Sequence, residues 1–344
     1  MTTLADSPTA RPRLAPWGLG LAGLAALLAV PLYASPYVIE AILLPFLALS
    51  LAGLGLNLLT GYGGQVSLGS AAFMAVGAFA AYNFQLRLGL GLPVSILLAA
   101  LTAAAIGTLF GLPSLRLRGF YLAVSTLAAQ FFVQWALTKF GWFSNYSASG
   151  VISAPKLSVA GLALDGPGGR YLFSLAIVLA ATLLVYRIVR SAEGINLVAV
   201  RDDETAARVI GVPVLRTKLA AFALSSAIIG VAGVLWAFAY LRTVEPAGFN
   251  LDRSFQVLFI IIIGGLATIR GAFLGAGLIV VFPLLLARIS SALFDGVLDA
   301  GVLKLVERIV LGTVIILFLI AEPNGLTAIL DRATARIRAA LRRS

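Results

Sequence analysis

One polar stretch, residues 190–218, carries most of the side chains that could act on another molecule in an otherwise apolar chain. It places Arg201, Asp202 and Asp203 side by side, and these residue types form ion pairs and hydrogen bonds with a partner in water. The segments on both sides are long enough to cross a bilayer. The stretch could therefore be a handle through which a soluble partner moves a membrane domain. The alternative is a solvated connecting loop.

The same stretch carries the signals of one short helix. Gly211 suits the position just after a helix end, and Pro213 blocks any continuation of the helix. We therefore predict a single helix from about Leu197 to Ile210, with the three charged residues facing water near its beginning.

The composition sets the class of protein. Of the 344 residues, 60% are hydrophobic and 11% are charged, whereas soluble domains have about 25% charged residues. Continuous apolar runs such as Leu19–Val30 do not alternate as strands of a membrane barrel do. We predict an all-α polytopic membrane protein with about ten transmembrane helices.

The same composition excludes several functions. The chain has no His and no Cys, so a Cys/His zinc site, a catalytic thiol and imidazole chemistry are excluded. We predict no catalytic residue and no metal site. No basic groove interleaved with aromatics explains the net charge of +11, so we predict no nucleic-acid partner. No glycine-rich loop with Lys followed by Ser or Thr is present to cradle ATP.

Hydrophobic runs divide the chain into a tail (residues 1–16), a transmembrane domain (17–326) that includes the polar stretch 190–218, and a basic tail (327–344). The predicted spans are Trp17–Tyr33, Val38–Leu59, Val66–Phe84, Pro93–Leu112, Phe120–Thr138, Tyr171–Val189, Leu219–Leu241, Phe255–Thr268, Ala272–Ala287 and Leu303–Ile320. Most of the 25 Lys and Arg residues then lie on one side, which places both termini and the polar stretch in the cytoplasm. The basic tail fits a helix lying on anionic lipid, or a merely solvated positive segment.

An inverted repeat of five plus five spans is possible. Its sequence sign is Gly63-Gly64 near Phe73 and Gly264-Gly265 near Phe273.

The predicted spans have no Asp, Glu, Lys or Arg near their middle. Proton-driven transporters keep an ionisable group there, so this absence argues against proton coupling. Sodium coupling through unwound backbone carbonyls remains open.

Glycine and other small residues dominate the segment from Thr60 to Phe79. Residues Gly61–Gly64 favour a break in the helix, which would free backbone groups to line a path. Gln65 and Ser67 could hydrogen-bond a zwitterion there. Close packing of small residues is the alternative explanation.

Four blocks of the sequence resemble one family of transport proteins. They resemble ABC importer permeases for branched-chain amino acids, of the LivM type. The blocks are Gly61–Gly69 followed by Phe73 and Gly77, Arg118–Leu127, Ala199–Gly211 followed by Lys218–Phe222 and Gly230–Gly233, and Ile263–Leu266 followed by Gly271 and Gly275.

This resemblance implies a membrane permease of the bacterial inner membrane that works with a second permease of the LivH type, two cytoplasmic ATPases and an external solute-binding protein. ATP would be bound by the ATPases, and the permease would carry no cofactor. Gln65, Ser67 and Phe73 would lie nearest the solute path. The ATPase-coupling residues would be Arg201, Asp202, Asp203, Ala206, Ala207 and Gly211.

One departure leaves the solute open. The run Tyr146–Gly150 stands where the family often has a Thr-Gly-Gly-like turn, and related systems carry urea or other small amides and acids. The sequence favours an ATP-driven importer of branched-chain amino acids or a related solute. A sodium-coupled secondary transporter and a membrane scaffold without transport are the alternatives.

Overall fold

The computed structural model describes residues 27–112, 119–147, 149–159, 161–294 and 325–341, with short pieces at 301–302, 305–306, 309–310, 312–313 and 316. This part of the chain is mostly helical. Its helices are α1 (Pro36–Tyr62), α2 (Ser70–Leu88), α3 (Leu92–Gly111), α4 (Phe120–Lys139), α5 (Pro167–Val189), α6 (Ala192–Asp202), α7 (Glu204–Val209), α8 (Val214–Leu241), α9 (Leu251–Gly264), α10 (Ile269–Phe294) and α11 (Gly325–Leu341).

Six helical segments of the described part are long and apolar enough to cross a membrane. They are α1, α3, α5, α8, α9 with the 3₁₀ turn before it, and α10. This confirms an all-α protein with several spans. Most of the predicted spans Trp17–Tyr33 and Leu303–Ile320 lies outside the described residues, and the number ten stays a prediction.

The bundle has two ends, which α5 connects. One end, named here the island end, carries α6 and α7 directly after α5. The other, named the loop end, carries residues 141–166 directly before α5. Two short ladders lie at the loop end, where Ile152–Ser153 (β1) pairs with Thr243–Val244 (β4) and Ser158–Val159 (β2) pairs with Leu162–Ala163 (β3).

The central helices α1 and α8 pack closely because small residues line their contacts. Gly55 of α1 lies against Ile229 of α8, and Gly77 of α2 lies directly on the backbone of Gly230. A side chain at Gly77 would overlap that backbone. Small residues let apolar helices approach without a hydrophobic driving force in lipid.

Both central helices end in a π-helical segment and then lose helical structure. Leu58–Tyr62 ends α1 and is followed by the non-helical residues 63–69. Leu235–Leu241 ends α8 and is followed by residues 242–250, which contain only a short strand and a 3₁₀ turn. The non-helical residues 63–69 are named the first break, and residues 242–250 are named the second break.

The breaks correct two predicted spans. The third span was predicted at Val66–Phe84, but its helix begins at Ser70 and runs to Leu88. The eighth was predicted at Phe255–Thr268, but its helix is Leu251–Gly264. Hydropathy alone misplaced both boundaries, because Val66 and Leu68 in the first break were counted as part of the span and the N-cap Asn250 that begins α9 was not recognised.

The polar stretch forms two helices, so the prediction of a single helix from Leu197 to Ile210 is wrong. Asp203 adopts an extended backbone (φ −156°, ψ 111°) between α6 and α7. Its carboxylate accepts hydrogen bonds from the N–H groups of Thr205 (2.7 Å) and Ala206 (3.1 Å). The side chain therefore ends one helix and caps the next.

The predicted helix in the basic tail is present as α11. Its first residues pack against the bundle, since Gly325 lies on the backbone of Gly265 and Thr327 is buried. Arg332 and Asp331 are exposed. The side chains of Arg336 and Arg343 lie outside the described residues, so the basic face on lipid stays a prediction.

Candidate functional site

The helices that follow the two breaks begin in the middle of the bundle, and one buried side chain joins them. Gln130 is halfway along α4 and fully buried. Its carbonyl oxygen accepts from Ala72 N (2.6 Å) and Ser254 Oγ (3.1 Å), and its amide donates to Phe249 O (2.8 Å). The start of α2 and the start of α9 thus meet at mid-depth.

The first break has an inner and an outer face. Gln65, Ser67 and Gly69 are buried, whereas Gly64 and Val66 between them are exposed. Such alternation is typical of extended backbone.

Side chains hold the first break only in part. Thr126 of α4 accepts a hydrogen bond from Leu68 N at 2.9 Å. Among the described residues, the N–H groups of Val66 and Ser67 have no hydrogen-bond partner. Irregular backbone at membrane depth occurs where it is buried in protein or lines a water-filled path. The exposed face of the first break therefore does not suit lipid.

The three residues predicted nearest the solute path all lie at or just after the first break, and all are buried. Ser67 Oγ accepts a hydrogen bond from Gly69 N. Phe73 packs in the core in the first turns of α2. Gln65 lines a cavity at the island end. The structure thus brings Gln65, Ser67 and Phe73 together, and their contact with a solute stays a prediction.

A half-buried arginine lies inside a span, whereas the sequence predicted no charged residue near the middle of any span. Arg253 is in the first turn of α9, within the span Pro246–Gly264. Its guanidinium lies 4.0 Å from the ring centroid of Trp236 and donates to the side chain of Gln256. The sequence placed the start of this span at Phe255, two residues too late to include the arginine.

The polar stretch packs directly on the first break. Arg201 Nη1 donates to the carbonyl oxygen of Gly61 at 3.1 Å. Gly64 has a positive φ of 67°, and a Cβ built there would lie 2.6 Å from Arg201 Cγ. Asp202 pairs with the same guanidinium at 2.8 Å. The contact requires glycine for both backbone conformation and space.

A second contact joins the polar stretch to the central helix α8. Lys218, in the second turn of α8, forms an ion pair with Glu204 at the start of α7, and both side chains are largely buried. A cavity of about 320 Å³ lies beside the pair, between the polar stretch and the first break. A buried pair of this kind is costly to break, because either charge would be left without compensation.

The end of α7 matches the prediction for Gly211. This glycine has φ 89°, its N–H donates to Arg208 O, and Val212 N donates to Ala207 O. These are the two hydrogen bonds of a Schellman motif. Ala207 and Val212 also pack in one small cluster with Val200.

The described residues of α6 and α7 present one exposed apolar patch at their tip. Val209 is 81% exposed and Ile210 is 73% exposed, and Ala206 is exposed beside them. Adjacent exposed apolar side chains that form a patch are candidates for contact with another molecule, whereas single ones such as Ile195 are ordinary. All the predicted coupling residues are exposed except Ala207, which is buried. Arg201 is exposed but also donates a hydrogen bond to the carbonyl oxygen of Gly61.

Comparison with known proteins identifies the family of this chain. The model of the family described as "Branched-chain amino acid transport system / permease component" matches residues 38–319. The chain belongs to this family. It is therefore a multi-pass membrane permease, and the resemblance found in the sequence is confirmed.

Two relatives are named high-affinity branched-chain amino acid transport system permease protein LivM. The protein from Salmonella typhimurium is 31% identical over 297 residues, and that from Escherichia coli is 32% identical over 297 residues. Each match covers 80% of this chain and 66% of the relative, just under two thirds of its length.

A third relative has another name. The autoinducer 2 import system permease protein LsrC of Enterobacter sp. is 30% identical over 217 residues, which is 62% of this chain and 60% of that protein. No solved structure matches the chain.

The structure adds candidate positions that the sequence did not indicate. Thr126 and Gln130 are four apart on a mostly apolar helix, and this spacing was a usable signal for two polar groups on one face. Arg253 was missed because the second break hides where the span begins. Val209 and Ile210 carry no signal, since apolar residues in a helix are ordinarily read as core.

Proposed function

We propose that this permease is a membrane subunit of an ATP-driven importer for branched-chain amino acids. The observation that carries the proposal is the contact of the polar stretch with the first break, through Arg201 and the carbonyl of Gly61. A solvated connecting loop would not need a glycine fitted beneath an arginine. The family and the names of the LivM relatives support the solute class.

In this proposal the partners are a second permease of the LivH type, two cytoplasmic ATPases and an external solute-binding protein. The ATPases bind ATP, and the permease carries no cofactor. The island end faces the cytoplasm of a bacterial inner membrane, with both termini on that side, because basic residues concentrate there.

Movement of α6 and α7 would reach the two central helices by two routes. Arg201 connects α6 to the π-helical end of α1, and the Glu204–Lys218 pair connects α7 to the start of α8. At α1 the push acts next to the first break, where the backbone is least constrained. At α8 it acts on the start of the helix, which leads to the second break at the opposite end. This is the proposed basis of alternating access.

The ATPase would dock on Val209, Ile210 and Ala206 rather than on the charged residues alone. The apolar patch is exposed at the tip of α7, and Gly211 fixes its position. Asp202 and Asp203 would lie at the edge of this contact.

We also propose the inverted repeat, with α1, α2 and α3 related to α8, α9 and α10. In each set a central helix ends in a π-helical segment, a break follows, and the next helix begins at mid-depth. The two sets run in opposite directions, since α1 ends at the island end and α8 at the loop end. The glycine pairs do not support this correspondence, because Gly63-Gly64 precedes α2 whereas Gly264-Gly265 follows α9.

Capture of the ATPase tests the proposal. The tagged permease is co-expressed with the partner subunits, as wild type, as the double variant Val209→Ser and Ile210→Ser, and as Ile195→Ser. Ile195 is the control because it is 69% exposed on α6. Wild type and control should retain the ATPase, and the double variant should lose it while keeping the second permease. Absence of any ATPase from the wild-type complex would contradict the proposal.

A further inference from the structure

We propose that Arg253 binds the carboxylate of the transported solute, with the indole N–H of Trp236 as a second donor. This assignment rests on the proposed function, since it requires a solute with a carboxylate. It adds a residue and a chemical group that the family resemblance did not supply.

Among the described residues, Arg253 has no carboxylate in direct contact, and the exposed carboxylate of the neighbouring Asp252 attracts it only from a distance. None of the ion pairs within 4.0 Å among the described residues includes it; those pairs join Glu40 with Arg170, Asp202 with Arg201, Glu204 with Lys218, Asp165 with Arg242 and Asp331 with Arg270. A charged residue inside a span is costly, so it faces a partner or a path and marks a functional site. The described residues therefore do not supply an anion in direct contact with Arg253.

The N-terminus of α9, where Arg253 lies, also favours a negatively charged group. α9 has 14 residues and begins at mid-depth, where Gln130 binds Phe249 O and Ser254 Oγ. The first N–H groups of a helix carry a partial positive charge. In transporters, interrupted helices point such ends at the anionic group of the solute.

Two buried donors beside the arginine lack an acceptor. Trp236 is 3% exposed, and its Nε1 has no hydrogen-bond partner among the described residues; the same holds for Arg253 Nε. The guanidinium lies over the Trp236 ring and donates a hydrogen bond to the side chain of Gln256. Buried donors without acceptors are unfavourable, and a carboxylate could supply acceptors for both.

The surroundings suit an aliphatic amino acid better than a charged side chain of the second permease. Arg253 packs inward on Trp236, and the ring of Tyr240 lies 4.6 Å from the Trp236 ring. An aliphatic solute side chain would contact these rings while its carboxylate meets the guanidinium. Contact with a carboxylate of the second permease is the competing explanation, and the experiment separates the two.

The experiment measures binding of leucine and of leucinamide, which lacks the carboxylate, to the complete complex in nanodiscs. Compared are wild type, Arg253→Gln, Arg253→Lys and Trp236→Phe. Arg242→Gln is the control, because Arg242 is exposed and lies 3.8 Å from Asp165. In each preparation, retention of the second permease and the ATPase is quantified.

Wild type and Arg242→Gln should bind leucine more tightly than leucinamide. Arg253→Gln should lose leucine affinity on the order of 10- to 100-fold and keep its leucinamide affinity, which abolishes the preference. Arg253→Lys should retain part of the preference, and Trp236→Phe should weaken leucine binding while the complex stays assembled. If Arg253→Gln does not assemble, Arg253→Lys and Trp236→Phe still test the assignment.

Three outcomes would overturn the assignment. An unchanged preference for leucine in Arg253→Gln would show that another group binds the carboxylate. Loss of the second permease from Arg253→Lys and Arg253→Gln would assign Arg253 to the subunit interface. A wild-type complex that binds urea but no amino acid would refute the proposed solute class itself, whereas the first two outcomes leave that class intact.

Discussion

The buried polar side chains of this permease mostly bind backbone groups that helices leave unpaired. Asn57 binds Thr268 O (2.7 Å) and Ala267 N (2.9 Å) in the turn between α9 and α10. Arg170 donates to Ala239 O in the π-helical end of α8 and pairs with Glu40. Gln130 does the same for the starts of α2 and α9. Irregular backbone inside the bundle is thus stabilised residue by residue.

Gln130→Leu should destabilise the permease strongly. The substitution leaves Ala72 N and Phe249 O buried without their partner, which costs about 1–3 kcal/mol for each group. Gln134→Leu is the matched control, since it lies one turn further along α4 and its side chain forms no hydrogen bond in the described part of the chain. Thermal unfolding of the purified protein in detergent should show a lower midpoint for Gln130→Leu alone. Equal midpoints for the two variants would refute the bridging role.

Two substitutions of the N-cap residue Asp203 distinguish the effect of its charge from the effect of its hydrogen bonds to α7. Asp203→Ala removes the cap of α7 and should cost about 1 kcal/mol of local stability, whereas Asp203→Asn keeps an acceptor and removes only the charge. We expect reduced uptake and ATPase retention in the alanine variant and near wild-type values in the asparagine variant. Equal loss in both variants would mean that the charge itself contacts the ATPase.

At the scale of elements, the two breaks and the kinked polar stretch are the features that the sequence predicted least well. The break at Gly61–Gly64 was foreseen because consecutive glycines weaken a helix. The second break was not, since only the N-cap Asn250 and Pro246 mark it. The division of the polar stretch at Asp203 depends on contacts of α6 with the first break, which lie far apart in sequence.

Gly211→Val should impair transport without removing any contact. A Cβ at Gly211 would meet nothing within 4 Å, so the cost comes from φ 89°, which β-branched residues avoid. Gly211→Asn is the control, because asparagine tolerates positive φ better. ATP-dependent uptake in vesicles should fall for valine and remain near wild type for asparagine. Wild-type uptake by an assembled valine variant would contradict a positioning role for this turn.

For the whole molecule, composition was sufficient to predict an all-α membrane protein, and short motifs were sufficient for the family. Composition could not locate the charge at Arg253 or the patch at Val209 and Ile210, because burial and exposure depend on how the helices pack. The predicted path residues Gln65 and Ser67 lie in the first break and Phe73 lies just after it, and their role in the solute path stays a prediction. Their inward direction required the structure.

The orientation of the whole molecule is testable by labelling, since the chain has no native cysteine. Ser158→Cys at the loop end should react with an impermeant thiol reagent in intact cells. Thr205→Cys at the island end and Ser344→Cys at the C-terminus should react only after the cells are opened. Both Ser158 and Thr205 are exposed in the structure, so a difference reports the side of the membrane. Labelling of Thr205→Cys from outside would reverse the proposed orientation.

The central claim is that ATP hydrolysis by a partner, acting through α6 and α7, drives solute across the membrane. The most direct measurement is leucine accumulation in vesicles that contain the complete complex and the solute-binding protein, with ATP and a sodium gradient supplied separately. The account predicts accumulation with ATP alone, none with the sodium gradient alone, and loss of accumulation in the Val209→Ser and Ile210→Ser variant. Accumulation driven by sodium in the absence of ATP and of the ATPase would contradict it.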